Sequence, residues 1–134
     1  MSERIAKQWL ADIVRTAQQR DHLAHMNLIS KSVSVTGIPG FESIGYEDWA
    51  KQTQHEFKQG VIADIHYTGL KIRAATDARI MFVTHESITA DDGTQIAQGI
   101  ECLLEKEADG QWRLVQQRVL GTEETRAYLP ELNH

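Results

Sequence analysis

Three apolar runs in the C-terminal third set the frame of this chain. Arg79–Ser87 (RIMFVTHES), Gln95–Glu107 (QIAQGIECLLEKE) and Trp112–Leu120 (WRLVQQRVL) are rich in branched and aromatic residues. Asp91-Asp92-Gly93 separates the first two, and Asp109-Gly110 the last two. Asp and Gly both accept the positive φ of a tight hairpin turn. The pattern predicts a three-stranded antiparallel meander between Asp77 and Gly121, onto which everything earlier folds.

Upstream, the apolar period changes. Ile5, Trp9 and Ile13, continued by Thr16 or Ala17, fall on one stripe, with Lys7, Asp12, Arg15 and Gln18 opposite. That spacing predicts a long amphipathic helix from Glu3 to about Gln19, capped by Ser2 and lying across a sheet. Asp21 reads as the cap of a second helix, His22–Ile29, burying Leu23 and Met26. Lys31–Thr36 alternates as a strand does. Tyr46–Gln59 reads as a third helix. Trp49, Thr53 and Phe57 share its stripe, Glu47 and Asp48 sit at its positive end, and Gly60 closes it. Val61–Tyr67 and Leu70–Ala75 read as two strands, or as one strand bulged at Gly69. The tail 122–134 is polar apart from Tyr128 and Leu129, carries Pro130, and is expected to be loosely held. Three helices followed by strands give an α+β domain, with the helices on one face of a strongly curved antiparallel sheet.

The length of 134 residues suits one domain, residues 1–134, with a core of about 3–121. The net charge of −5 and the dispersed Lys and Arg argue against nucleic acid or an anionic membrane as partner. A single cysteine, Cys102, excludes an intrachain disulfide and a Cys-based zinc site. The N-terminal residues are charged and show no leader pattern, so a cytoplasmic protein is expected.

Several features together resemble a known family. They are the long first helix, Asp21 opening the second, Gly45 before the third, Asp77-Ala78-Arg79-Ile80 starting a strand, and Asp109–Val115 (DGQWRLV). The order resembles the nuclear transport factor 2-like superfamily, also called ketosteroid isomerase-like or SnoaL-like, of the cystatin-like type. The resemblance implies a cone-shaped sheet with three N-terminal helices and a small-molecule pocket between the first helix and the sheet. It also implies a homodimer through the outer sheet face and no cofactor. Members range over isomerases, cyclases, dehydratases, binders and assembly domains, so the fold alone does not choose an activity.

Register sets the candidate site. A two-residue turn at Asp109-Gly110 places Glu101 opposite Arg118. The same logic at Asp92-Gly93 sets Thr84 beside Glu101 and Phe82 beside Leu103. One face then carries Glu101, Leu103, Glu105, Trp112, Leu114, Gln116 and Arg118; the other carries Ile100, Cys102, Leu104, Val115, Gln117 and Val119. Both are apolar enough to need a cover. Following the resemblance, the first is assigned inward and the second to the dimer. A turn one residue longer would invert one strand against its neighbour.

On this assignment Glu101 is the candidate base and Arg118 the candidate charge stabiliser. The plainer reading is an ordinary cross-strand ion pair. Trp9, Ile13, Tyr46, Trp49, Phe82, Thr84, Leu103 and Gln116 are the candidate ligand-binding residues, and core packing is their plainer role. Asp64 and His66 share a strand face and read as its solvent rim. His22 and His25 lie three apart and read as surface histidines, so no metal site is expected. A ketosteroid isomerase pattern would place a Tyr on the first helix, where this chain has Ile13, Val14 and Thr16. The expected function is a small-molecule protein, either a cofactor-free isomerase, cyclase or dehydratase or a non-catalytic binding or assembly module.

Overall fold

The computed structural model describes residues 1–132. Helices α1 (Ser2–Gln18) and α2 (His22–Met26) lead into strand β1 (Ile29–Thr36), and α3 (Tyr46–Gln59) follows. Four strands come next: β2 (Ile62–Ala75), β3 (Arg79–Ala90), β4 (Gln95–Lys106) and β5 (Trp112–Val119). Helix α4 (Thr122–Tyr128) and a 3-10 turn (Pro130–Leu132) end the described chain. The strands form one sheet in the order β1-β5-β4-β3-β2. The pairs β2–β3, β3–β4 and β4–β5 are antiparallel, and β1 joins β5 in parallel. No described helix is long and apolar enough to cross a membrane.

The local signals act as their chemistry dictates. The Asp21 carboxylate accepts the Ala24 N–H at 3.1 Å and caps α2. Gly60, at φ 66°, closes α3. β2 is a single strand whose register shifts between Thr68 and Lys71, around Gly69 at φ 76°. Helix α2 stops at Met26, earlier than expected, because β5 takes over the backbone there: the Leu114 N–H donates to the Leu28 carbonyl at 3.0 Å.

The hairpin loops are one residue longer than the sequence reading assumed. Ala90 N–H donates to Thr94 O and Glu107 N–H to Gln111 O, each at 2.8 Å. Each loop therefore has three residues, with Gly93 (φ 88°) and Gly110 (φ 83°) in the left-handed position. The Asp92 and Asp109 carboxylates accept the N–H two residues on, at 2.9 and 3.1 Å. Thr84 consequently faces Ile100 and Phe82 faces Cys102, not Glu101 and Leu103.

That one residue inverts β4. Ile100, Cys102 and Leu104 face the helices with Ile80 and Phe82, while Glu101 and Leu103 lie on the outer face. In β5 the register shifts again between the Leu103–Gln116 and Leu104–Leu114 pairs, so Glu101 does oppose Arg118. The shift splits β5: Trp112 and Leu114 pack inward as expected, but Gln116 and Arg118 point outward with Glu101. The concave face, closed by Trp9, Leu10 and Ile13 of α1 with Met26 and Ile29, is the main core.

The tail is not loosely held as far as it is described; 133–134 lie outside the described residues. Leu129, 1% exposed, packs against Val83 and Leu120 on the outer face of the sheet. Arg118 donates to both Glu124 oxygens at 2.9 and 2.8 Å, and the Arg73 guanidinium lies 4.5 Å from the centre of the Tyr128 ring. Two apolar side chains suffice because one is almost wholly enclosed. Helix α4 also needs Gly99: a Cβ there would lie 2.2 Å from Thr125 Oγ1. Gly99→Ala should therefore lift α4 and cost about 1–3 kcal/mol. Hydrogen exchange should show lost protection over 122–129 with the β2–β3 ladder intact; unchanged protection would contradict this packing.

Candidate functional site

The concave face carries a partly open cavity of about 110 Å3 between the helices and the sheet. Trp9 and Ile13 of α1, His25 of α2, and Trp49 and Phe57 of α3 form one wall. Ile65 and Tyr67 of β2, Glu86 and Ile88 of β3, and Gln117 of β5 form the other. The wall follows from strand alternation: Phe82, Thr84, Glu86 and Ile88 share one face of β3.

One polar row crosses the sheet. Tyr67 lies opposite Glu86, and Glu86 opposite Gln98, as direct cross-strand neighbours. The Tyr67 hydroxyl donates to Glu86 Oε2 at 3.1 Å, and Gln98 Nε2 donates to Oε1 at 3.3 Å. Glu86 is 8% exposed. Burial raises its carboxyl above the ordinary value, against the pull of the two donors toward the charged form. Burial, then the nearby Glu86, pushes the Tyr67 phenol well up. Cys102 lies behind this row, with its Sγ 3.9 Å from Gln117 Oε1. Burial pushes its thiol well up too, so it stays protonated and inert.

The second polar pole comes from the helices. His25 is 5% exposed, and its Nδ1 lies 2.8 Å from Thr16 Oγ1. Its ring meets Phe57 edge-on, with centroids 5.2 Å apart. Burial, then the neighbouring His22, lowers its pKa to about 4, so it is neutral at pH 7. Among the described residues the lining includes the acids Glu56 and Glu86 and no Lys or Arg. Such a site can give and take protons on an uncharged molecule, with a buried carboxyl as acid or base. Among the described residues no three His, Cys, Asp or Glu side chains are grouped to hold a metal ion.

Two of the wider hollows are open grooves. One, of about 490 Å3, runs between α1 and β2, and the other, of about 1000 Å3, beside α2, β1 and β5. In the second, the Arg113 donors are already spent on Asn27, Glu107 and Asp109. The interior cavity is the candidate site because it alone of the three gathers the perturbed groups Glu86 and His25.

The expected residues divide accordingly. Trp9, Ile13 and Trp49 line the cavity. Tyr46 lines the wider groove instead, and Phe82, fully buried, belongs to the core. Thr84 is also fully buried, and its hydroxyl is committed to the Gly69 carbonyl. Leu103 and Gln116 lie on the outer face, through the inversion of β4 and the split in β5.

Glu101 and Arg118 do meet, with Oε1 and Nη2 3.4 Å apart, but away from the cavity. They belong to an outer-face network in which Arg73 binds Glu101 and Glu124 binds Arg118. His66 and Asp64 form an exposed pair at 3.4 Å, as the rim reading expected. The surface reading fails for His25, which is buried. His25, Tyr67, Glu86, Gln98 and Gln117 were missed as site residues. Glu86 was within reach, two positions from Thr84 and four from Phe82 on an alternating strand.

The fold is widely shared. An NTF2-like protein of unknown function from Shewanella oneidensis MR-1 superposes with a TM-score of 0.74 at 14% identity, over 89% of this chain and 98% of that one. A candidate scytalone dehydratase from Novosphingobium aromaticivorans DSM 12444 gives 0.68 at 12% identity, over 87% and 81%. A candidate dehydratase of the NTF2-like family from Streptomyces avermitilis gives 0.64 at 14% identity, over 88% and 94%. Identities this low show the fold alone. No curated protein matches the chain. The sequence itself matches the SnoaL-like domain over residues 6–119, from α1 to the end of β5. That match places the chain in the SnoaL-like domain family, and its α+β fold is that of the NTF2-like proteins.

Proposed function

We propose that this protein binds a small, uncharged, largely apolar molecule in the cone cavity and moves a proton on it through Glu86. The reaction class is that of a cofactor-free isomerase, cyclase or dehydratase. The observation that carries the reading is the buried Glu86 carboxyl, held by Tyr67 and Gln98 against a wall of Trp9, Trp49 and Phe57. Protonated, it donates to a ligand oxygen; ionised, it accepts a proton from a carbon beside a carbonyl. The Tyr67 hydroxyl can turn from Glu86 to that developing oxyanion. Two of the similar structures are candidate dehydratases by name, a reaction class that also turns on proton transfer.

Proton exchange at the carbons flanking the carbonyl of cyclohexanone in D2O, followed by NMR, tests the reading. The protein should accelerate exchange saturably. Binding without exchange would favour a ligand-binding module, and neither would overturn the cavity as a site. We also propose a homodimer through the outer sheet face. Met81 and Leu103, paired there and half-buried, support it. Sedimentation should show two chains; a monomer would refute it.

A further inference from the structure

The hydroxyl of Thr16 has one hydrogen and three near neighbours. It lies 2.8 Å from the Asp12 carbonyl, four residues back on α1, 3.2 Å from the Ile13 carbonyl, three residues back, and 2.8 Å from His25 Nδ1. A helical threonine in this position donates to the carbonyl one turn back. With its hydrogen spent there, Thr16 Oγ1 can only accept, so Nδ1 of His25 must carry the proton. The neutral imidazole then holds its lone pair on Nε2. Among the described residues Nε2 makes no hydrogen bond, and the ring lines the cavity. The titratable groups around it are His22 on its own helix, Glu56 of α3, Glu86 of β3 and Tyr67 of β2, whose hydroxyl donates to Glu86. None of them is seen to donate to it.

We propose that His25 Nε2 is a built acceptor for a ligand hydroxyl, so that the cavity selects uncharged ring alcohols or phenols over their hydrocarbon and carboxylate analogues. This rests on the cavity being the ligand site. Three observations combine in it. The tautomer is fixed by a residue on a second helix, so the acceptor is present before a ligand arrives. The wall of Trp9, Trp49, Phe57 and Tyr67 suits the face and edge of a ring. The absence of Lys and Arg from the lining, with two carboxyl side chains in it, disfavours an anion. Glu86 and Tyr67 then meet the ligand from the sheet side while His25 orients it from the helix side. His25 acts as a specificity and positioning residue.

The test has two parts. Nitrogen-15 NMR of the histidine-labelled protein reads the tautomer directly: protonated Nδ1 and bare Nε2 are expected. Thr16→Val should scramble that signature. A protonated Nε2 in the unaltered protein would overturn the proposal without any variant having to fold. Ligand-observed NMR then compares phenol, toluene and benzoate. Phenol should bind about tenfold more tightly than toluene, the worth of one hydrogen bond, and benzoate should be weaker than either. The phenol preference should vanish in His25→Phe and persist in Glu86→Gln. Preference retained in His25→Phe and lost in Glu86→Gln would place the hydroxyl at Glu86 and sink the inference. Toluene binding with no phenol preference would refute the role of His25 alone. Failure of both to bind would refute the cavity as a ligand site, and this inference with it.

Discussion

Glu86→Gln should slow cyclohexanone exchange by about 100- to 10,000-fold, the usual worth of a positioned general acid or base. The substitution keeps shape and volume, so the cavity and its aromatic wall should survive. What it removes is a group that can exist in two protonation states. In the unaltered protein, exchange that uses the carboxylate as base should rise with pH through the raised Glu86 pKa. The variant should show a flat profile over that range.

The same shift makes a stability statement. Folded Glu86 holds its proton to higher pH than the unfolded chain does, so folding stability falls as pH rises from the ordinary carboxyl value through the folded pKa. Glu86→Gln should remove that loss and be the more stable protein on the alkaline side. A variant that exchanges protons at the original rate would show that the buried carboxyl is structural only.

His25 imposes the opposite slope. Its pKa falls from 6.5 to about 4 on folding, so between these values the unfolded chain binds the extra proton. Stability from this residue is therefore complete above about pH 6.5 and is lost as pH falls toward 4. The shift is worth about 3 kcal/mol at about 1.36 kcal/mol per unit. Urea unfolding at several pH values in that window, compared with His25→Phe, isolates the contribution from the surface carboxylates. The difference between the two proteins should shrink by about 3 kcal/mol from neutral to acid. A constant difference would mean that His25 is not buried as neutral imidazole. Glu86 and His25 together should give a stability maximum that depends on both.

Much of the fold could be read from the chain because its cues are local. The Asp21 cap, the Gly60 stop and the bulge at Gly69 each follow from one residue type in one place, and the α1 stripe follows from spacing within one helix. The faces of β4 and the distal half of β5 could not be read so. Asp-Gly suits a two-residue turn and also a three-residue loop with Gly in the left-handed position, and one residue inverts a strand. Hydrophobicity could not arbitrate, because both faces are apolar: Phe82 faces the core and Val83 faces Leu129. Glu101 and Arg118 pair as expected because the register shift in β5 offsets the longer loop, but on the opposite side of the sheet.

The missed site residues fall into two kinds. Glu86 shares a face with Phe82 and Thr84, which were assigned inward, so alternation alone pointed to it. His25 was hidden because its partner, Thr16, lies on another helix, and a five-residue helix leaves little period to read. Leu129 shows the same limit, since its burial depends on Val83 and Leu120 from two other segments.

Titration of the Glu86 side-chain carboxyl by carbon-13 NMR, assigned with Glu86→Gln, tests the account most directly. A midpoint clearly above 4.5, the ordinary glutamate value, is predicted, because burial outweighs the two donated hydrogen bonds. A midpoint at or below that value would mean that water reaches the carboxylate freely, and it would remove the acid–base centre on which the proposed function stands.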